Sequence, residues 1–105
     1  MNEIKSIIEI DNLIANNEIC TLLISSSQCG VCISVESKLD ELAEEIKNIN
    51  VSKVKIDTVP ETSGKFLVFT VPTILVFYKG KEVIRQSRFI QFNKLRVEID
   101  KFITQ

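Results

Sequence analysis

The stretch Cys20-Thr21-Leu22-Leu23-Ile24-Ser25-Ser26-Ser27-Gln28-Cys29-Gly30-Val31-Cys32 decides how this chain is read. Its first five residues form a short, nearly continuous apolar run, the pattern of a central strand covered on both faces. Ser25 to Gln28 end that strand as a loop. From Cys32 onward, apolar residues recur at 32, 35, 39, 42, 43 and 46, the spacing of one helix face, with Glu36, Asp40, Glu41, Glu44 and Lys47 on the other side. Two cysteines separated by two residues therefore sit where a buried strand gives way to a helix.

That placement has chemical content. Residues three apart on a helical turn lie about 5–6 Å from one another, inside the range that a disulfide spans. Cys29, just ahead of the helix, directs its sulfur at unpaired backbone amides at the positive end of the helix dipole, which favours thiolate over thiol. It is the candidate nucleophile. Cys32, one turn in and on the apolar face, is expected to be more buried, to keep its proton longer and to resolve a mixed disulfide. Gly30 leaves the backbone open to an incoming partner. Two other readings attach to the pair. Half of a zinc site would need two further ligands, in a chain with no histidine and only Cys20 besides; alternatively, the two thiols are inert neighbours. Redox exchange is favoured because Cys-x-x-Cys beside strand-helix-strand alternation is a redox arrangement. Cys20, opening a buried strand, reads as a small hydrophobe.

Working outward, Ser6-Ile7-Ile8-Glu9 matches a capping box and opens a helix from Ile7 to Asn16 that buries Ile7, Ile10, Leu13 and Ile14. Val51 to Asp57 alternates as a strand, and Pro60 opens a short helix to about Phe66. Thr73 to Tyr78 is a second buried strand, Lys79-Gly80-Lys81 a turn, and Glu82 to Ser87 the returning hairpin strand. Asn93 caps a last helix carrying Leu95, Ile99, Phe102 and Ile103. The order is helix, strand, helix, strand, helix, strand, strand, helix. It predicts an α/β domain with a central mixed β-sheet, parallel where helices cross over and antiparallel at the last hairpin, flanked by helices on both faces. A single domain over 1–105 is expected.

Composition narrows the function classes. With 45% hydrophobic and 26% charged residues, the chain falls in the globular range. Thirteen basic against fourteen acidic residues leave a net charge of -1, too little field to hold nucleic acid or an anionic lipid surface. Neither nucleic acid nor membrane is expected as a partner. Met1 to Lys5 lacks the pattern of a secretion signal, and three cysteines cannot make a closed disulfide framework. The expectation is a cytoplasmic monomer with no metal and no cofactor.

On these residues the chain resembles the thioredoxin family. The likeness rests on Cys29-Gly30-Val31-Cys32, on the helix continuing through Leu39-Asp40-Glu41-Leu42-Ala43-Glu44-Glu45, and on the spacing of Lys53 and Asp57. It rests equally on Val71-Pro72-Thr73, followed by an apolar strand and a turn at Gly80. The resemblance implies a thioredoxin fold and a thiol-disulfide oxidoreductase that reduces protein disulfides through a Cys29/Cys32 dithiol-disulfide cycle. It implies a cis Pro72 against the reactive sulfurs and a Val71 backbone that pairs with an extended substrate segment. Gly30 and Val31 then belong to the substrate-contacting surface, and Lys53 to a supporting position. Implied partners are disulfide-containing proteins and an electron-donor reductase such as thioredoxin reductase.

Three positions depart from the family pattern. Gln28 stands where tryptophan is usual, Val31 where proline is usual, and Leu23 where an aspartate lies beneath the second cysteine. An apolar residue there is expected to keep Cys32 protonated and slow resolution. These changes admit two alternatives: a specialised oxidoreductase with a dedicated partner or donor, and a non-catalytic binding module on the same fold.

Overall fold

A computed structural model describes residues 1–46 and 49–103; Lys47, assigned above to the polar side of a helix, lies outside them. Nine elements follow one another: β1 (Asn2–Ile4), α1 (Ile7–Asn16), β2 (Ile19–Ser25), α2 (Gly30–Glu45), β3 (Asn50–Lys55), α3 (Glu61–Phe66), β4 (Thr73–Tyr78), β5 (Lys81–Ser87) and α4 (Phe92–Ile103). The strands form one sheet in the order β1-β3-β2-β4-β5. β3 pairs parallel with both β1 and β2, whereas β4 runs antiparallel to β2 and to β5. The mixed sheet is as the element order predicts, because only crossover helices can return a strand parallel to its neighbour.

β2 lies at the centre of this arrangement, and all seven of its residues are buried. Its side chains alternate between two cores, as the period of two requires. Ile19 and Leu23 join Val35, Leu39 and Leu42 of α2 and Leu95 and Ile99 of α4 on one face. Cys20, Leu22 and Ile24 join Ile10 of α1 and Val54 of β3 on the other. Continuous hydrophobicity in β2 and β4 is thus the mark of strands covered twice.

The helix starts follow local chemistry. The Glu9 N–H donates to Ser6 Oγ at 3.2 Å, as a capping serine should allow. The return bond differs by one residue from a capping box: Glu9 Oε1 accepts from the Lys5 N–H, 3.1 Å, rather than from Ser6. Pro60 is the residue before α3 rather than its first member. The hairpin turns through Lys79 at φ 51° and Gly80 at φ 85°, the pair of left-handed residues that suits the twist of antiparallel strands.

Two expectations need correction. The strand β1 has no counterpart in the sequence reading, which began with α1; its three residues are too few to show a period, and parallel pairing with β3 alone defines it. Asn93 does not cap α4, which already begins at Phe92. The Gln91 carbonyl accepts from the Leu95 N–H at 2.9 Å, and the Gln86 side chain ties down Gln91 through its N–H at 2.7 Å and its carbonyl at 3.3 Å.

Candidate functional site

The site forms where β2 ends and α2 begins. Ser25, expected in the loop, is still paired with Lys55 as the last residue of β2; Ser26 to Gln28 leave the sheet, and the Ser27 N–H donates to Asp57 Oδ1 at 3.0 Å, fixing that loop to the chain just past β3. The Ser27 side chain, and then this N–H, hold the Asp57 carboxyl below its usual range. Cys29 is the N-cap of α2, in extended conformation. The N–H of Cys32 donates to Cys29 Sγ at 3.2 Å. A sulfur thereby occupies the position that a serine or aspartate oxygen fills in ordinary caps.

Cys29 and Cys32 are joined as a disulfide with Cα atoms 5.3 Å apart. Cys32 is 4% exposed, whereas Cys29 is half-buried. Gly30 and Val31 are both exposed, and nothing lies within 4 Å of where a Cβ on Gly30 would stand. The peptide bond between Val71 and Pro72 is cis. Val71 precedes Thr73, the first paired residue of β4, so its backbone lies outside the sheet ladder. An open groove of about 460 Å³ brings Cys29, Gly30, Val31, Val71 and Pro72 together.

Lys53 is not in this groove. It sits on β3 as the register partner of Leu23, so both side chains lie on the sheet face that α2 covers. Leu23 is fully buried. The Lys53 ammonium is bonded to Glu36 Oε1 at 2.9 Å, both groups being partly shielded from water. Helical spacing alone puts Glu36 on the solvent side of α2; its ion pair leaves no local sequence signal because it joins residues seventeen apart.

Arg88 and Phe89 also line the groove. Thr73 and Ser87 are register partners at the end of the β4–β5 pair, and the Arg88 N–H donates to the Pro72 carbonyl at 2.7 Å. The residues following β5 are thereby brought beside the cis peptide. No local pattern in the sequence marks them.

A half-buried sulfur at a helix start, bridged to a buried one a turn later and opening on a groove, defines a site for thiol-disulfide exchange on an α/β fold. The comparisons with known proteins make this specific. A sequence model of the thioredoxin family matches residues 6–101. The thioredoxin-like protein YdfQ of Bacillus subtilis is 33% identical over 101 residues, covering 96% of this chain and 90% of that protein. A thioredoxin of Mycoplasmoides gallisepticum is 27% identical over 96 residues, covering 91% and 96%. Among solved structures, the thioredoxin of Fasciola hepatica superposes with a TM-score of 0.87 at 29% identity, over 97% of this chain and 99% of that one. The chain belongs to the thioredoxin family of thiol-disulfide oxidoreductases. Among the described residues no helix is long and apolar enough to cross a membrane.

Proposed function

We propose that Cys29 is the attacking nucleophile and Cys32 the resolving thiol in the reduction of protein disulfides. In the reduced protein the Cys29 thiolate attacks one sulfur of a substrate disulfide; a new S–S bond forms, the substrate bond breaks, and one substrate thiolate leaves. Cys32, deprotonated, then attacks Cys29 Sγ and expels the second substrate thiolate. The substrate gains two electrons and two protons, and the protein is left with its Cys29–Cys32 disulfide. A donor of two electrons must reopen that bond. A flavoprotein such as thioredoxin reductase fits the requirement, and one protein similar to this chain is a bifunctional thioredoxin reductase/thioredoxin of Mycobacterium leprae.

The observation that carries this assignment is the asymmetry of the pair. Cys29 Sγ accepts a backbone N–H at the start of α2, and hydrogen bonds to a charged sulfur favour the charged form. Cys32 lacks that exposure. Val71 and Pro72, in the groove with Cys29, offer backbone and an apolar ring to an extended segment of the substrate, and Gly30 and Val31 add to the surface it contacts. Lys53 acts at a distance, on the sheet face beneath α2. The same reading takes the working protein to be a monomer in a reducing cytoplasm.

Reduction of insulin disulfides by dithiothreitol tests the proposal. The wild type should hasten precipitation of the insulin B chain, and both Cys29→Ser and Cys32→Ser should fall to the uncatalysed rate. A wild type no faster than either variant would leave only a binding module. Trapping on Cys32→Ser then separates a generalist from an oxidoreductase with one dedicated partner, since the stalled mixed disulfide keeps what Cys29 attacked.

A further inference from the structure

The groove beside Cys29 has an uneven character. Val31, Arg88 and Phe89 line it together with Cys29, and Arg88 is the only charged residue among the described residues of the lining. Val31 is 61% exposed and Phe89 83% exposed. An exposed valine and an exposed phenylalanine lining the same groove as a reactive sulfur are surfaces that gain by being covered. The Arg88 guanidinium lies over the Phe89 ring, 5.9 Å from its centre. Among the described residues it makes no ion pair.

The backbone at Arg88 is also unusual. Its φ of 67° is left-handed, a region that is unfavourable for a residue with a side chain and open to glycine. The position is held by the bond from the Arg88 N–H to the Pro72 carbonyl, which docks the segment against the backbone flanking the groove. An arginine thus stands where glycine would be easier, stacked on Phe89 at the groove and paired with no carboxylate among the described residues.

We infer that the preferred substrates of this oxidoreductase are extended protein segments carrying an acidic side chain within two residues of the attacked cysteine, paired with Arg88. The inference deepens the proposed function and rests on it. A strand advances about 3.3 Å per residue, and Cys29 and Arg88 line the same groove, so side chains within two residues of the attacked cysteine are seated against the lining that carries Arg88. Charge complementarity names the occupant, because the groove offers a cation and no carboxylate. Arginine matches a carboxylate with two parallel N–H donors. An apolar neighbour in the segment would cover Phe89. A basic neighbour would meet Arg88 as a like charge and be disfavoured.

The test uses three quenched fluorogenic disulfide peptides, identical except for glutamate, glutamine or lysine two residues from the cysteine. Each is reduced by the prereduced full chain in stopped flow. At low ionic strength the wild type should prefer the glutamate over the lysine peptide by about three- to tenfold, the range of a partly exposed ion pair set against a like-charge contact. Raising salt to 0.5 M should draw the ratio towards one. Arg88→Gln should abolish the preference, and so should Arg88→Gly, which suits the left-handed backbone and guards against misfolding. Lys81→Gln, at the far end of the β4–β5 hairpin, should retain it. A wild-type ratio near one, or a ratio that survives both Arg88 variants, would overturn the inference while leaving disulfide reduction intact. Failure to reduce any of the three peptides would instead refute the reductase reading, and this inference with it.

Discussion

The three cysteines of the reduced chain should react with an alkylating agent in a fixed order, and the structure supplies the spacing. Cys29 Sγ accepts one backbone N–H at the head of a sixteen-residue helix. A bond to a charged acceptor contributes about 1.5–3 kcal/mol when shielded, and a helix terminus adds about 0.3–1 kcal/mol. Both act to favour the Cys29 thiolate in the reduced chain. Burial acts the other way on Cys20, whose thiol is pushed up from 9.0 to about 11, which makes its thiolate about a hundredfold scarcer. Ionisation alone therefore puts Cys29 at least about a hundredfold ahead of Cys20, and the closed core around Cys20 widens the gap. Cys32, nearly buried but next to the groove, should fall between. Timed labelling with iodoacetamide at pH 7, read by peptide mass spectrometry, gives the three rates directly. Cys20 or Cys32 labelled as fast as Cys29 would refute the assignment of nucleophile. The sign for Cys20 can be checked separately: its contribution to folding stability is intact below pH 9 and declines as pH rises towards about 11, because the unfolded thiol ionises first.

Two further outcomes follow from the packing under the site. Leu39→Ala, at a fully buried position of α2, should cost about 2–5 kcal/mol in chemical denaturation, the range for emptying a core site; a loss under 1 kcal/mol would show that α2 is not anchored there. Leu23→Asp, which puts a carboxylate beside Lys53 on the face under α2, should speed release of the substrate from its mixed disulfide in single-turnover kinetics. An unchanged release rate would show that an apolar residue at 23 does not limit resolution.

Much of this fold and site was legible because its signals are local. The apolar run of β2, the helical spacing after Cys32 and the cysteine pair each lie within one element, and each is found where the pattern puts it. The same holds for Val71-Pro72, whose meaning came through resemblance. What the sequence hid depends on distant partners. Three residues of β1 acquire their identity only against Ser52, Lys53 and Val54. Glu36 reads as a solvated helix residue until Lys53 rises towards it from the sheet. Asn93 is a good capping residue by type, yet the Gln86–Gln91 exchange starts the helix earlier. Arg88 and Phe89 look like loop residues, and only the last β4–β5 register pair delivers them to the groove.

The opposite orientations of Cys20 and Leu23 along β2 have a consequence for sulfur traffic. Leu23 faces the helix that carries Cys32, whereas Cys20 faces α1, so a wall one strand thick stands between the idle sulfur and the working pair. For the bridge to migrate onto the buried Cys20 the sheet would first have to open, so exchange within the folded chain stays between Cys29 and Cys32.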